Sequence, residues 1–258
     1  MATGLYIPMG GARNQERRLE TLANDLANAQ TPGFKSQETI YRQIHNDATA
    51  LGNPNQAMGL NHPVRFLPED RLPVVMDERF TKFGQGALKK TGNDLDIALT
   101  GEGFFTVQGP TGPVYTRNGS FNLSRDGVLV NSIGQAVLND AGAPIQVPAA
   151  QGKLRVADDG YVFVGDEQVG RLGIAKFPNM QELIRMGNSN YRHPDAKFVP
   201  EGVDQPDIRQ GFLEMSNVSP VHTMAMLIKT NRVFELNTRA MQAYKAMDDQ
   251  AARDVGRV

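Results

Sequence analysis

The chain has 258 residues, 27 basic and 28 acidic side chains, a net charge of −1, 40% hydrophobic and 21% charged residues, and no cysteine. A near-neutral balance without runs of like charge excludes the electrostatic footprint of a nucleic-acid or anionic-membrane binder. The missing cysteine excludes disulfides, thiolate catalysis and Cys-ligated zinc, and no run approaches the ~18 apolar residues of a membrane span, so no membrane insertion is expected.

All 15 prolines lie outside residues 12–31 and 221–258, and glycine is missing from the same stretches until the last residues, so both ends read as helix. In the first, Leu5, Ala12, Leu19 and Leu26 recur at sevens, and Leu22 and Ala29 fall three places later, giving a narrow apolar seam. Arg13, Arg17, Glu20, Asn24 and Asn28 occupy another face at helical spacing. Thr31-Pro32-Gly33 stops this helix, because proline pushes its predecessor out of the helical region and glycine accepts positive φ. Arg13, Glu16, Arg17, Arg18 and Glu20 interrupt any early apolar run, so no cleaved secretory signal is expected.

From Phe34 to about Phe80, Pro54, Pro63, Pro68 and Pro73 with Gly52 and Gly59 suggest an extended or irregular connector. Short apolar runs then alternate with turn signals. Ile97–Leu99, Phe104–Val107, Gly127–Val130, Leu154–Val156 and Tyr161–Val164 read as strands, and Gly109-Pro110, Asn118-Gly119, Asp126-Gly127 and Asp159-Gly160 as turns. Met180–Met186 is expected to add one short helix.

Ser219-Pro220 opens the last helix, since proline suits a first helical turn. There Leu227, Phe234 and Met241 recur at sevens, flanked by Met224 and Ile228, with Asn231 and Thr238 as polar seam positions that fix register. Such thin stripes gain more from a helix bundle than from lying on a globule. The methionines at 224, 226, 241 and 247 read as seam fillers rather than a recognition surface.

Chemistry-bearing patterns are weak. Gly101-Glu102-Gly103 begins like a dinucleotide fingerprint but lacks the third glycine and the following helix, so it reads as a tight turn into a strand. Asp94 and Asp96 do not continue as a calcium loop. His45, His62, His193 and His222 are scattered, and no serine sits in a nucleophile elbow. Asn118, Asn122 and Asn217 match the glycosylation triplet, yet turns explain these asparagines better. No catalytic residue, metal site or cofactor is expected, and a hydrolase hidden in the β region is the weakest reading.

Several blocks together resemble the bacterial flagellar rod and hook proteins. They are Ala23-Asn24-Asp25-Leu26-Ala27-Asn28 with Thr31-Pro32-Gly33-Phe34-Lys35, then Asn93–Leu99, Gly101–Phe105, Tyr115–Phe121, Gly211–Val218 and Arg232–Asn237, in that family's order. The resemblance implies a non-enzymatic structural subunit, polymerised helically around a central export channel, with terminal helices as inner tube. The implied partners are copies of itself, other proximal and distal rod proteins, and the flagellar type III export apparatus. The implied location is the periplasmic basal body, reached without a cleaved signal. Within the family, Gln210–Glu214 and Arg232–Glu235 are more similar to proximal rod subunits, with the distal rod as the alternative.

The expectation is therefore an α+β fold. Residues 1–31 with 216–258 form a coiled-coil-like helical polymerisation domain, 32–82 an extended connector or arm, and 83–215 a mainly antiparallel β-rich outer domain. Inter-subunit packing is assigned to Leu5, Leu19, Leu22, Asn24, Leu26, Asn28, Met224, Leu227, Ile228, Asn231, Phe234 and Met241, and the resemblance implies that Asn24 and Asn28 hydrogen-bond between packed helices. A competing reading of another class is a secreted β-domain module for glycan or peptide whose helical ends only dimerise it.

Overall fold

Freedom from breakers at both ends is realised as two helices in the computed structural model, which describes residues 6–43, 74–148, 153–195 and 198–255. Helix α1 spans Tyr6–Ala27 and helix α2 spans Pro220–Val255. Helix α1 starts before the breaker-free stretch: Pro8 fits its first turn, where the missing N–H has no partner to lose. It ends five residues ahead of Pro32, and residues 28–30 continue as turns, with Thr31 N donating to Asn28 O at 3.1 Å. Neither is long and apolar enough to cross a membrane.

The chain divides into two compact units. The first comprises residues 1–24, 37–80 and 221–258, hence most of α1 and nearly all of α2. It also holds a pair of strands, Gln37–Gln43 and Val74–Thr81, the latter up to residue 80. The stretch read as an irregular connector therefore begins and ends in a β ribbon; residues 44–73 between lie outside the described residues. Within this unit α1 and α2 meet at Gly11, where a Cβ would come within 3.2 Å of Asn237 Nδ2.

The second unit, residues 25–36 and 81–220, is built of antiparallel strands. Its largest sheet runs Ile184–Gly187, Asn190–Arg192, Gly112–Thr116, Phe104–Gly109, Ile174–Lys176, Glu201–Gly202. Successive side chains of a strand point to opposite faces, and both faces here are dry. Phe105 and Val107 join Ile97, Leu99, Leu129 and Ile208 in one core, while Phe104 joins Tyr115, Phe177, Leu183 and Tyr191 in another. That is why Phe104-Phe105 is an unbroken apolar run. Each such side chain contributes about 1.5–3 kcal/mol when fully buried.

Hairpins form at Gly109-Pro110, Asp126-Gly127 and Asp159-Gly160, as the turn residues require. Two expectations fail. Met180–Met186 is not a helix: a single 3₁₀ turn, Met180–Glu182, capped by Asn179, gives way to strand Ile184–Gly187. Asn188 and Ser189, both at positive φ, then fold that strand back as a tight hairpin, which overrides the local helical pattern. Asn118-Gly119 is no hairpin turn either. Gly119 is needed because a Cβ would overlap Ile97 O, and Asn118 Oδ1 instead accepts from Ser120 N at 3.0 Å.

Candidate functional site: the terminal helices and a buried charge junction

On α2 Thr223 and Thr230 are buried and Leu227, Phe234, Asn237, Thr238 and Met241 are among the half-buried residues, and Thr223, Leu227, Thr230, Phe234, Asn237 and Met241 follow one another in alternating four- and three-residue steps. The polar residues on this stripe are Thr223, Thr230 and Asn237, with Thr238 half-buried next to Asn237. Asn231 is exposed and donates to Glu235 Oε1 of its own helix at 3.1 Å, and Thr238 Oγ1 donates to Phe234 O at 3.0 Å. Leu227, Phe234 and Met241 lie half-buried on the stripe; Met224 and Ile228 stand off it, 50% and 55% exposed. On α1 the buried residues are Pro8, Ala12, Asn14, Thr21 and Asp25, with Leu19, Leu22 and Leu26 half-buried beside them. Asn24 is exposed, Asn28 Oδ1 accepts from Thr31 Oγ1 at 3.2 Å, and Leu5 lies outside the described residues.

The second unit contains a charge junction that joins three of the sequence blocks. Glu214 Oε1 accepts from Lys35 Nζ at 2.5 Å and from Gly86 N at 2.9 Å, and Glu214 Oε2 lies 3.4 Å from Arg117 Nη1. All three side chains are buried. Lys35 Nζ also donates to Gly84 O (2.9 Å), while Arg117 donates to Leu99 O (3.3 Å) and Gly101 O (2.6 Å) and lies over the Phe104 ring. Burial pushes the Lys35 ammonium below its usual range, against the pull of Glu214 and with a smaller push from Arg117. The Arg117 guanidinium is lowered in the same way, and Glu214 opposes it.

Residues 31–36 reach this junction as a strap. Gly33 N donates to Glu214 O (2.8 Å), Asn217 N to Phe34 O (3.3 Å), Ser36 N to Asn217 Oδ1 (2.8 Å), and Arg185 Nη2 to Lys35 O (2.7 Å). Asn217 Nδ2 in turn donates to Lys82 O and Gly84 O. Gly33 sits at φ +68, and a Cβ there would overlap the backbone of Arg117 and Asn118. Only glycine combines that conformation with that approach.

The sequence matches three protein families over distinct ranges: "Flagella basal body rod protein" at residues 5–35, "Flagellar hook protein FlgE/F/G D1 domain" at 98–164, and "Flagellar basal body rod FlgEFG protein C-terminal" at 209–254. It is 33% identical to the flagellar basal-body rod protein FlgF of Caulobacter vibrioides over 100% of both chains. It is 34% identical to FlgF of Rhizobium meliloti over 99% of both. With the rod protein FlgG of Bacillus subtilis it shares 29% identity over 93% of this chain and 94% of that one. The chain belongs to the flagellar basal-body rod protein family.

Membership in the rod family gives the junction its setting, since Lys35 lies at the end of one matched range and Glu214 inside another. Lys35, Arg117 and Glu214 stand inside the sequence blocks, but no pattern in those blocks gives them a role. The available signal was a charged side chain embedded in each of three apolar or glycine-bearing blocks, Phe34-Lys35, Tyr115-Thr116-Arg117 and Leu213-Glu214-Met215. Asn217, read as a turn residue, ties Ser36, Lys82 and Gly84 together.

The patterns that could have carried other chemistry resolve into structure. Gly101 and Gly103, both at positive φ, lead into strand Phe104–Gly109. Asp96 accepts from Asn93 Nδ2 at 3.2 Å, and Asp94 is exposed. His193 stacks on Phe198, His222 is exposed, and His45 and His62 lie outside the described residues. Among the described residues no cluster of three acidic or histidine side chains could hold a metal. A groove of about 570 Å³ is lined by Thr106, Tyr115, Leu138, Arg171, Glu201 and Asp204, among others. Its Arg171 donates to the carbonyls of Asp159 and Asp204, and no histidine or serine lines it.

Proposed function

We propose that this chain is a structural subunit of the bacterial flagellar rod, polymerising helically through α1 and α2 so that these helices form a tube around the export channel. The observation that carries this reading is the end-to-end identity of about one third with basal-body rod proteins. The FlgF relatives, at 33% and 34%, favour the proximal rod; the FlgG relative at 29% keeps the distal rod as the second reading. Its partners are then copies of itself, adjoining rod proteins and the type III export apparatus, and its place is the periplasmic part of the basal body. It works without catalysis: torque passes along a tube stiffened by many repeated helix contacts, and contacts that do not close on themselves build an open helical array.

Long helices with incompletely covered apolar residues support this role. A helix of 36 residues extends roughly 54 Å at 1.5 Å per residue, yet Leu236 and Met247 along it are more than 60% exposed. The test is electron cryotomography of basal bodies carrying a tagged subunit. Density at the proximal rod is expected. Density confined to the distal end transfers the chain to the distal rod, and density away from the basal body overturns the rod reading.

A further inference from the structure

The buried junction is unequal in charge, with one carboxylate, Glu214, against two cations, Lys35 and Arg117. The strands supply a balanced pair by themselves. Arg117 faces Glu214 Oε2, and Gly86 N donates to Glu214 Oε1. Lys35 comes in on the strap and adds a second positive charge to a dry site whose carboxylate is already engaged.

The contacts of the ammonium are replaceable. Without it, Glu214 keeps Arg117 and Gly86 N, and Gly84 O keeps Asn217 Nδ2 at 3.1 Å. No buried partner is orphaned. The strap itself is attached by bonds that do not use the ammonium: Gly33 N to Glu214 O, Asn217 N to Phe34 O, Ser36 N to Asn217 Oδ1, and Arg185 to Lys35 O. Attachment and penalty thus sit on different atoms of the same six residues.

We propose that residues 31–36 are a conditional latch on the β unit, closed by these hydrogen bonds and loosened by the buried Lys35 ammonium, so that the strap opens locally while the surrounding strands stay folded. Opening returns Lys35 to water and leaves a neutral Glu214–Arg117 pair behind. Removing one partner from a buried ion pair is normally costly because a lone charge remains; here the charge that leaves is the surplus one. The lowered Lys35 ammonium agrees, since desolvation outweighs the attraction of Glu214. An open strap frees six residues of chain between α1 and the strands, about 20 Å of reach at 3.3 Å or slightly more per extended residue. The latch therefore decides whether residues 31–36 follow a fixed path along the strands or move as a tether.

Residue-resolved hydrogen exchange on the full chain at neutral pH, wild type beside Lys35→Met, tests this. In the wild type, the amides of Gly33 and Ser36 should exchange at least ~100-fold faster than those of Thr106 and Leu129, by local opening insensitive to low denaturant. Lys35→Met keeps the volume and removes the charge, so protection at Gly33 and Ser36 should rise ~10-fold with the core amides unchanged. Exchange of the wild-type strap together with the core, or protection in Lys35→Met that stays level or falls, overturns the latch. A methionine variant that cannot fold also overturns it, because Lys35 would then be a required cation.

Discussion

The β unit and the terminal helices hide opposite kinds of residue. In the strands, Ile97, Phe105, Val107 and Leu129 are wholly buried and the exposed side chains are mostly polar. In the helices, the buried residues include Asn14, Thr21, Thr223 and Thr230, while Val221, Met224, Ile228, Leu236 and Met247 are exposed. A stripe that buries hydroxyls and amides yields little hydrophobic free energy, and apolar residues left in water yield none. The β unit therefore holds a dry apolar core of its own, whereas the helices leave apolar area uncovered. For a family of basal-body rod proteins, that division assigns stability to one part of the chain and proposed assembly to the other.

Substitutions can break this contrast or sharpen it. The largest effect is expected from Glu214→Gln, which leaves Lys35 and Arg117 buried without a carboxylate. A loss of ~3–5 kcal/mol is expected in urea unfolding followed by circular dichroism, and a loss under 1 kcal/mol would show that the junction is wet. Next comes Gly33→Ala, with a cost of about 2 kcal/mol or more from positive φ plus backbone overlap. Wild-type stability in that variant would mean that the strap path has been misjudged. The smallest effect on folding should come from Ile228→Asp, within about 0.5 kcal/mol of wild type as for other exposed positions. The same variant should abolish motility and incorporation into basal bodies. Normal swimming by that variant would remove the exposed face of α2 from the proposed assembly surface.

Both terminal helices and most strands could be read from the sequence because their signals are local. Leu154–Val156 and Tyr161–Val164 occupy the expected residues, with Gly160 at positive φ between them. The α2 stripe was half legible. Sevenfold recurrence picked out Leu227, Phe234 and Met241, which lie half-buried, whereas Met224 and Ile228 are exposed in the single chain and Thr223 and Thr230 are the buried positions. Hydrophobicity cannot tell a covered position from one awaiting a partner. The Met180–Met186 helix failed because a two-residue turn at Asn188-Ser189 pairs Ile184–Gly187 with Asn190–Arg192 at the edge of a sheet whose remaining strands are more distant in sequence. The junction was illegible for the same reason. Lys35 and Glu214 are 179 positions apart, and no window of sequence contains both.

The burial of Lys35, Glu214 and Arg117 also bears on ionic strength. Mobile ions weaken charge pairs they can surround, with a screening length of about 8 Å at physiological salt and about 3 Å at 1 M. Exposed contacts such as Lys176–Glu102, at 2.7 Å with both side chains open to solvent, follow the medium. While the strap is closed the junction is shut off from counter-ions, so its charge pairs respond to added salt far less than the exposed pair does.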